Sequence, residues 1–187
     1  KWNLLGAKNA GFLHSLMVVD NVHTMDLGWN KLHDDGAQVI AKALPRCSML
    51  RDLDLTGNGI TKVGIAHICR GMGEAPMILR LNLSFNPLGA EGAAALVNSG
   101  LGTAPLTHLG LRSCELGVTG AVALARGFRK NTTLKEIMIA DNQITREGAR
   151  QVARNLKLTP LALLRAFGCG DGDRTARHQR SDPTMVD

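Results

Sequence analysis

Leu50-Arg-Asp-Leu-Asp-Leu-Thr-Gly-Asn-Gly-Ile60 decides the fold. Its apolar residues stand at 50, 53, 55 and 60 around Asn58, and the same skeleton returns 28 residues later as Ile78-Leu-Arg-Leu-Asn-Leu-Ser-Phe-Asn-Pro-Leu88. Upstream the frame reads Val22, Met25, Leu27, Asn30, Leu32. Downstream it reads Leu106, Leu109, Leu111, Cys114, Leu116, and then Leu134, Ile137, Ile139, Asn142, Ile144. Chance clustering of apolar residues does not hold an unbroken 28-residue register through five copies; a fixed period of this length marks a stacked repeat array.

The local pattern inside one copy changes period. Leu53-x-Leu55 alternates with period two and predicts a short strand with one buried face. Gly36, Gly64, Gly92, Gly120 and Gly148 stand four residues past the last apolar position of each copy, and each is expected to open a helix. The inner faces of these helices read Ala37, Ile40, Leu44; Ile65, Ile68, Met72; Ala93, Leu96; Ala121, Leu124, Phe128; and Ala149, Val152, Leu156, one side of a 3.6-residue helix. Neither element hides its apolar side alone, so neighbours must stack and merge their stripes into one elongated core. Asn30, Asn58, Asn86 and Asn142 are placed where the chain turns out of the strand, and their amides are suited to backbone groups that burial would otherwise leave unpaired. Cys114 takes that place in the fourth copy.

This pattern resembles the leucine-rich repeat, in its longer ribonuclease-inhibitor-like class, over about residues 4 to 157. The resemblance implies an α/β solenoid: a curved, right-handed horseshoe segment with parallel strands inside and helices outside. It also implies tolerance of cysteine at the ladder position. The repeats divide as 22–49, 50–77, 78–105, 106–133 and 134–160. A partial repeat or N-terminal cap is expected over 1–21, and a degenerate repeat with a flexible tail over 161–187. By resemblance, the expected function is a non-catalytic scaffold that binds a protein through the repeat surface as a subunit of a larger assembly. The alternative is a regulator of a small GTPase like the Ran GTPase-activating protein, which would need an arginine on a repeat loop; Arg146 lies on such a loop and Arg112 faces the concavity. Ribonuclease inhibition is not implied, because that protein is cysteine-rich and has tryptophans on its concave strands, where this chain has none.

Composition narrows the classes further. The chain is 44% hydrophobic and 20% charged, with no apolar run near the roughly 18 residues a membrane span needs. It opens at Lys1 with no charged-then-apolar leader. Cys47, Cys69, Cys114 and Cys169 are separated by 22, 45 and 55 residues, which is not metal-ligand spacing, and Cys69 and Cys114 point inward in the repeat frame. With no disulfide end cap in the pattern, a reducing, intracellular and cytoplasmic setting is expected. Gly168-Cys-Gly-Asp-Gly-Asp173 lacks the further acidic ligands of a calcium loop, and Gly57-Asn-Gly-Ile-Thr-Lys62 fits no phosphate-binding fingerprint. The six histidines are scattered and no nucleophile motif occurs. No catalytic residue, metal or cofactor is predicted.

Information about a partner lies in the exposed strand positions. Asp26, Asp52 and Asp54 make an acidic first third; Arg80, His108 and Arg112 make a basic middle; Glu136 follows in the last copy. Such a face is either a zoned docking surface for a complementary partner or an ordinary solvated sheet. Trp29 and Phe85 share the position before the ladder asparagine, with Gly57 between them, and either anchor a partner at the concave rim or cover the turn of their own repeat. A second candidate surface is the basic sector of the last helix, Arg146, Arg150, Arg154 and Lys157. It fits an acidic partner, or else cations favourable to helix C-termini. The net charge of +6 admits nucleic acid, but 3% aromatics and no tyrosine leave few stacking platforms, so a protein partner is expected instead.

Overall fold

Each copy of the frame folds as a three-residue strand, a turn at the ladder position and a helix. In the computed structural model, which describes residues 22–74, 78–99 and 105–155, these are β1 (Thr24–Asp26) and α1 (His33–Ala43), β2 (Asp52–Asp54) and α2 (Lys62–Glu74), β3 (Arg80–Asn82) and α3 (Gly89–Asn98), β4 (His108–Gly110) and α4 (Gly117–Gly127), and β5 (Glu136–Met138) and α5 (Arg146–Asn155). The strands form one parallel sheet in chain order. Its register equals the sequence period: Met25 pairs with Leu53, Leu53 with Leu81, Leu81 with Leu109 and Leu109 with Ile137. This is the α/β solenoid that the period predicts.

The core lies between the inner face of the sheet and the helices. Leu53, Leu81, Leu109 and Ile137 turn inward from the strands, and Ile40, Ile68, Leu96, Leu124 and Val152 meet them from the helices, all buried. Met72 and Ala149 are only half-buried. The periodic glycines do not open their helices as expected. The helices start two or three residues earlier, and Gly36, Gly64, Gly92, Gly120 and Gly148 are buried in the first turn. The reason is close approach: a Cβ at Gly120 would stand 3.0 Å from Ala90 Cα of the preceding helix. Leu156, the expected partial repeat 1–21 and the expected degenerate repeat and tail 161–187 lie outside the described residues.

The asparagine ladder ties each repeat to the one before it. Asn58 Nδ2 donates to Leu27 O of the preceding repeat at 2.9 Å and to Leu55 O of its own at 3.0 Å. Its Oδ1 accepts Asn30 N at 3.0 Å. Asn86 repeats the arrangement with Leu55 O, Leu83 O, Asn58 N and Ile60 N, and Asn142 with Leu111 O, Ile139 O, Cys114 N and Leu116 N. The Cys114 thiol donates to Leu83 O at 3.2 Å but offers no amide oxygen in return, and Leu88 N turns instead to Asn86 O at 2.8 Å. The ladder is therefore interrupted on its accepting side between the third and fourth repeats.

Removing the Asn58 amide strands several buried backbone groups, each costing about 1–3 kcal/mol. Urea unfolding of Asn58→Ala should show a loss of about 3 kcal/mol or more. Cys114→Asn, which restores the missing acceptor, should gain about 1 kcal/mol in the same measurement.

Candidate functional site

The outward residues of the five strands form two rows over a groove of about 400 Å³. The first row is Thr24, Asp52, Arg80, His108 and Glu136, and the second is Asp26, Asp54, Asn82, Gly110 and Met138. The rows bring together seven of the predicted site residues: Asp26, Asp52, Asp54, Arg80, His108 and Glu136 line the groove, and Arg112 follows two residues beyond β4.

Parallel in-register pairing sets neighbouring residues of a row about 4.8 Å apart, and this changes the charge zoning expected from the sequence. Arg80 Nη1 lies 3.5 Å from Asp52 Oδ1, Arg112 Nε lies 2.7 Å from Asp141 Oδ2, and His108 Nε2 lies 3.8 Å from Glu136 Oε2. The basic middle is therefore cross-linked to acids on either side and does not stand as a cationic zone. The groove carries four carboxylates against one guanidinium, a formal charge of −3 with His108 neutral, on a chain whose total is +6. The second row is also pre-ordered. Asp26 Oδ1 accepts Gly28 N at 3.1 Å and Asp54 Oδ1 accepts Thr56 N at 2.8 Å, while Asn82 Nδ2 donates to Asp54 Oδ2 at 3.3 Å.

Beyond the strand ends the backbone takes a left-handed turn in every repeat. Trp29, Gly57, Phe85, Ser113 and Asp141, each just before the ladder position, have φ of 61°, 62°, 59°, 51° and 57°. Bulky residues rarely adopt this conformation, yet here it holds both aromatic rings. Gly57 is the residue that lets them meet. A Cβ there would fall inside the Trp29 ring, which lies over it, so the ring covers its neighbour's turn and not its own. The Trp29 and Phe85 centroids stand 5.5 Å apart at 40°, across a repeat with no side chain at that position. The Arg112 guanidinium lies 5.8 Å over the Phe85 ring, a cation–π contact, and bonds Asp141 beyond. A continuous stack thus runs Trp29, Phe85, Arg112, Asp141 from the first repeat to the fifth. Asp141 and Asn82 were not singled out from sequence. Asp141's signal was its membership of the same 28-residue column as Trp29 and Phe85.

The basic sector of α5 is at the opposite side of the molecule. Arg146, Arg150 and Arg154 are exposed, and Arg150 Nη1 lies 3.4 Å from Glu147 Oε2; Lys157 lies outside the described residues. Arg146 opens the helix and Arg154 stands in its last turn, so only the latter sits favourably in the helix dipole. Cys47, Cys69 and Cys114 are buried free thiols. Burial pushes Cys69 up to about 11, against an opposing hydrogen bond from Ser99, and Cys114 up to about 12; Cys47 is raised for the same reason. Among the described residues, no group of three or more His, Cys, Asp or Glu is placed to hold a metal, and no helix is long and apolar enough to cross a membrane.

Two outcomes follow. Gly57→Ala forces a side chain into a left-handed backbone position and into the Trp29 ring. It should cost about 2 kcal/mol or more and shift the emission of Trp29 in a Trp2→Phe background. Cys69 and Cys114 should resist iodoacetamide at about pH 8 in the folded protein and react fully in urea, because the thiolate is the nucleophile. Their burial stabilises the fold fully below the ordinary thiol value of 9.0, and the contribution is lost as pH rises through 11 to 12, a trend that unfolding free energies measured across that range should follow.

The described repeats can be compared with known proteins. A search of curated proteins returns no match. A family model described as Leucine Rich repeat matches residues 21–41, 46–69, 75–97, 104–125 and 130–153, one match for each strand–helix unit and together more than half of the chain. With five matches in phase with five in-register strands, this chain belongs to the leucine-rich repeat family.

Proposed function

We propose that this protein is a non-catalytic interaction scaffold that takes a basic polypeptide segment along the open face of the sheet, as a subunit of a larger intracellular assembly. The observation that carries this reading is an anionic groove on a cationic chain, with a formal charge of −3 set against +6. A field opposite in sign to the rest of the molecule selects a partner by charge and orients it on approach. Leucine-rich repeats generally mediate protein–protein interaction, which agrees.

The rim stack supplies the anchor. Trp29 stands three residues beyond Asp26, and both aromatic residues are half-buried, so each retains exposed surface for contact. Tryptophan and arginine on a pre-ordered surface are the residue types that dominate interface energies. Free thiols built into the core at Cys47, Cys69 and Cys114 support a reducing compartment, and a cytoplasmic setting is part of the proposal. A regulator of a small GTPase would need an arginine able to reach a phosphate; Arg112 is held by Asp141 and by the Phe85 ring, Arg146 stands exposed at the start of α5, and no specific observation favours this reading over the groove.

A lysine-rich synthetic peptide tests the proposal by its quenching of Trp29 emission at low ionic strength. Asp26→Asn with Asp54→Asn keeps the oxygens that accept Gly28 N and Thr56 N while removing charge, and should weaken binding about tenfold. Phe85→Ala should cost about 2 kcal/mol of binding energy. Equal binding by native protein and both variants would sink the groove as the site.

A further inference from the structure

The 28-residue register also orders the outer helices. Lys42 in α1, Arg70 in α2, Asn98 in α3, Arg126 in α4 and Arg154 in α5 occupy one column, and all five are exposed. Beside the column, α1 meets α2 and α3 meets α4 in close contact. A Cβ at Gly71 would collide with the backbone of Ala41, and one at Gly127 with the side chain of Val97. Row residues on adjoining helices are therefore brought to the helix-packing distance of about 8–10 Å.

Helix dipoles favour Lys42, Arg126 and Arg154, which stand in last turns, but they account neither for Arg70 nor for what surrounds these four. Lys62, Arg80, Arg112 and Arg150 each have a carboxylate partner elsewhere in the protein. Among the described residues Lys42, Arg70, Arg126 and Arg154 find no carboxylate partner, and Arg46 and Arg129, just past the ends of α1 and α4, extend the same exposed edge. Acids of the helical layer lie instead in first turns: Asp34 and Asp35 in α1, Glu91 in α3 and Glu147 in α5.

We infer that this edge is a second interaction surface, separate from the sheet face, and that it takes an extended acidic polypeptide segment running across the helices. The spacing selects the partner. An extended chain in the polyproline II conformation advances about 3.1 Å per residue with three residues per turn, so carboxylates on every third residue share one face about 9 Å apart and meet successive helices. Asn98 fills the uncharged third position with an amide that donates to a carboxylate. Nucleic acid fits less well, because this edge has no stacking ring: of the described aromatics, Trp29 and Phe85 belong to the rim stack and Phe128 is buried. Exposed ion pairs are individually weak, so binding is steep in salt and depends on the row acting together.

The test is fluorescence anisotropy of labelled probes on the full chain at low salt. The probes are a peptide with glutamate at every third residue, a peptide of the same composition with its glutamates clustered, and a single-stranded oligonucleotide of equal charge. The spaced peptide should bind several-fold more tightly than the other two. Arg126→Glu with Arg154→Glu should weaken it about tenfold or more, whereas Lys31→Glu with Lys135→Glu, an equal charge change off the row, should leave it within about twofold. Circular dichroism and urea midpoints check that each variant folds, and Arg126→Gln with Arg154→Gln replaces the reversal if it does not. Equal losses in the two charge-matched variants, no preference for the spaced peptide, or tighter binding of the oligonucleotide would each overturn the inference.

Discussion

The structure depends on how buried backbone polar groups are satisfied where each strand turns out of the sheet. A three-residue strand followed at once by a left-handed turn leaves carbonyls and amides inside an apolar stack, and an unpaired buried group costs about 1–3 kcal/mol. The side-chain amide of asparagine answers both needs, donating to carbonyls of its own and the preceding repeat while accepting amides of the preceding one. Because each amide bonds across to the neighbouring repeat, the distance between repeats and their in-phase stacking are set together. The parallel register, the inward leucines and the outward rows follow from that bond.

The open face inherits its chemistry from this constraint. In-register strands place residues 28 apart side by side, so charges that are remote in sequence become neighbours. Asp52 meets Arg80, His108 meets Glu136, and the side chains that would make a basic zone are held by acids from the repeats on either side. What remains is a net anionic groove. The same geometry makes an aromatic stack of two residues 56 positions apart, on condition that the position between them has no side chain. Gly57 meets that condition and also the left-handed backbone its turn requires. A leucine-rich repeat scaffold is neutral about function. The groove sign, the rim stack and the cationic helix edge are what distinguish this member.

Legibility differed by level. The ladder asparagines, the inward strand residues and the helix faces are governed by periodicity, and the described ones occupy the places that the frame assigns them, except that Met72 and Ala149 are only half-buried. The periodic glycines were visible as a column, but their role was misjudged, because the close approach of one helix to the next is not written in either helix alone. Arg146, Arg150 and Arg154 stood out in sequence as a cluster on one helix. The longer column from Lys42 to Arg154 is equally periodic, yet it gains meaning only from the absence of carboxylate partners among the described residues, which depends on where the acids of the layer sit.

The sequence by itself determined the repeat, its length, the solenoid and the side of each element that faces the core, because apolar burial and backbone hydrogen bonding repeat with the chain. Only the tertiary structure decided which charges cancel, that Trp29 reaches over Gly57 to Phe85, and that Arg112 closes onto Asp141. Those outcomes turn on side-chain reach across a strand spacing of about 4.8 Å and on left-handed turns in every repeat, distances and angles that a one-dimensional period does not contain.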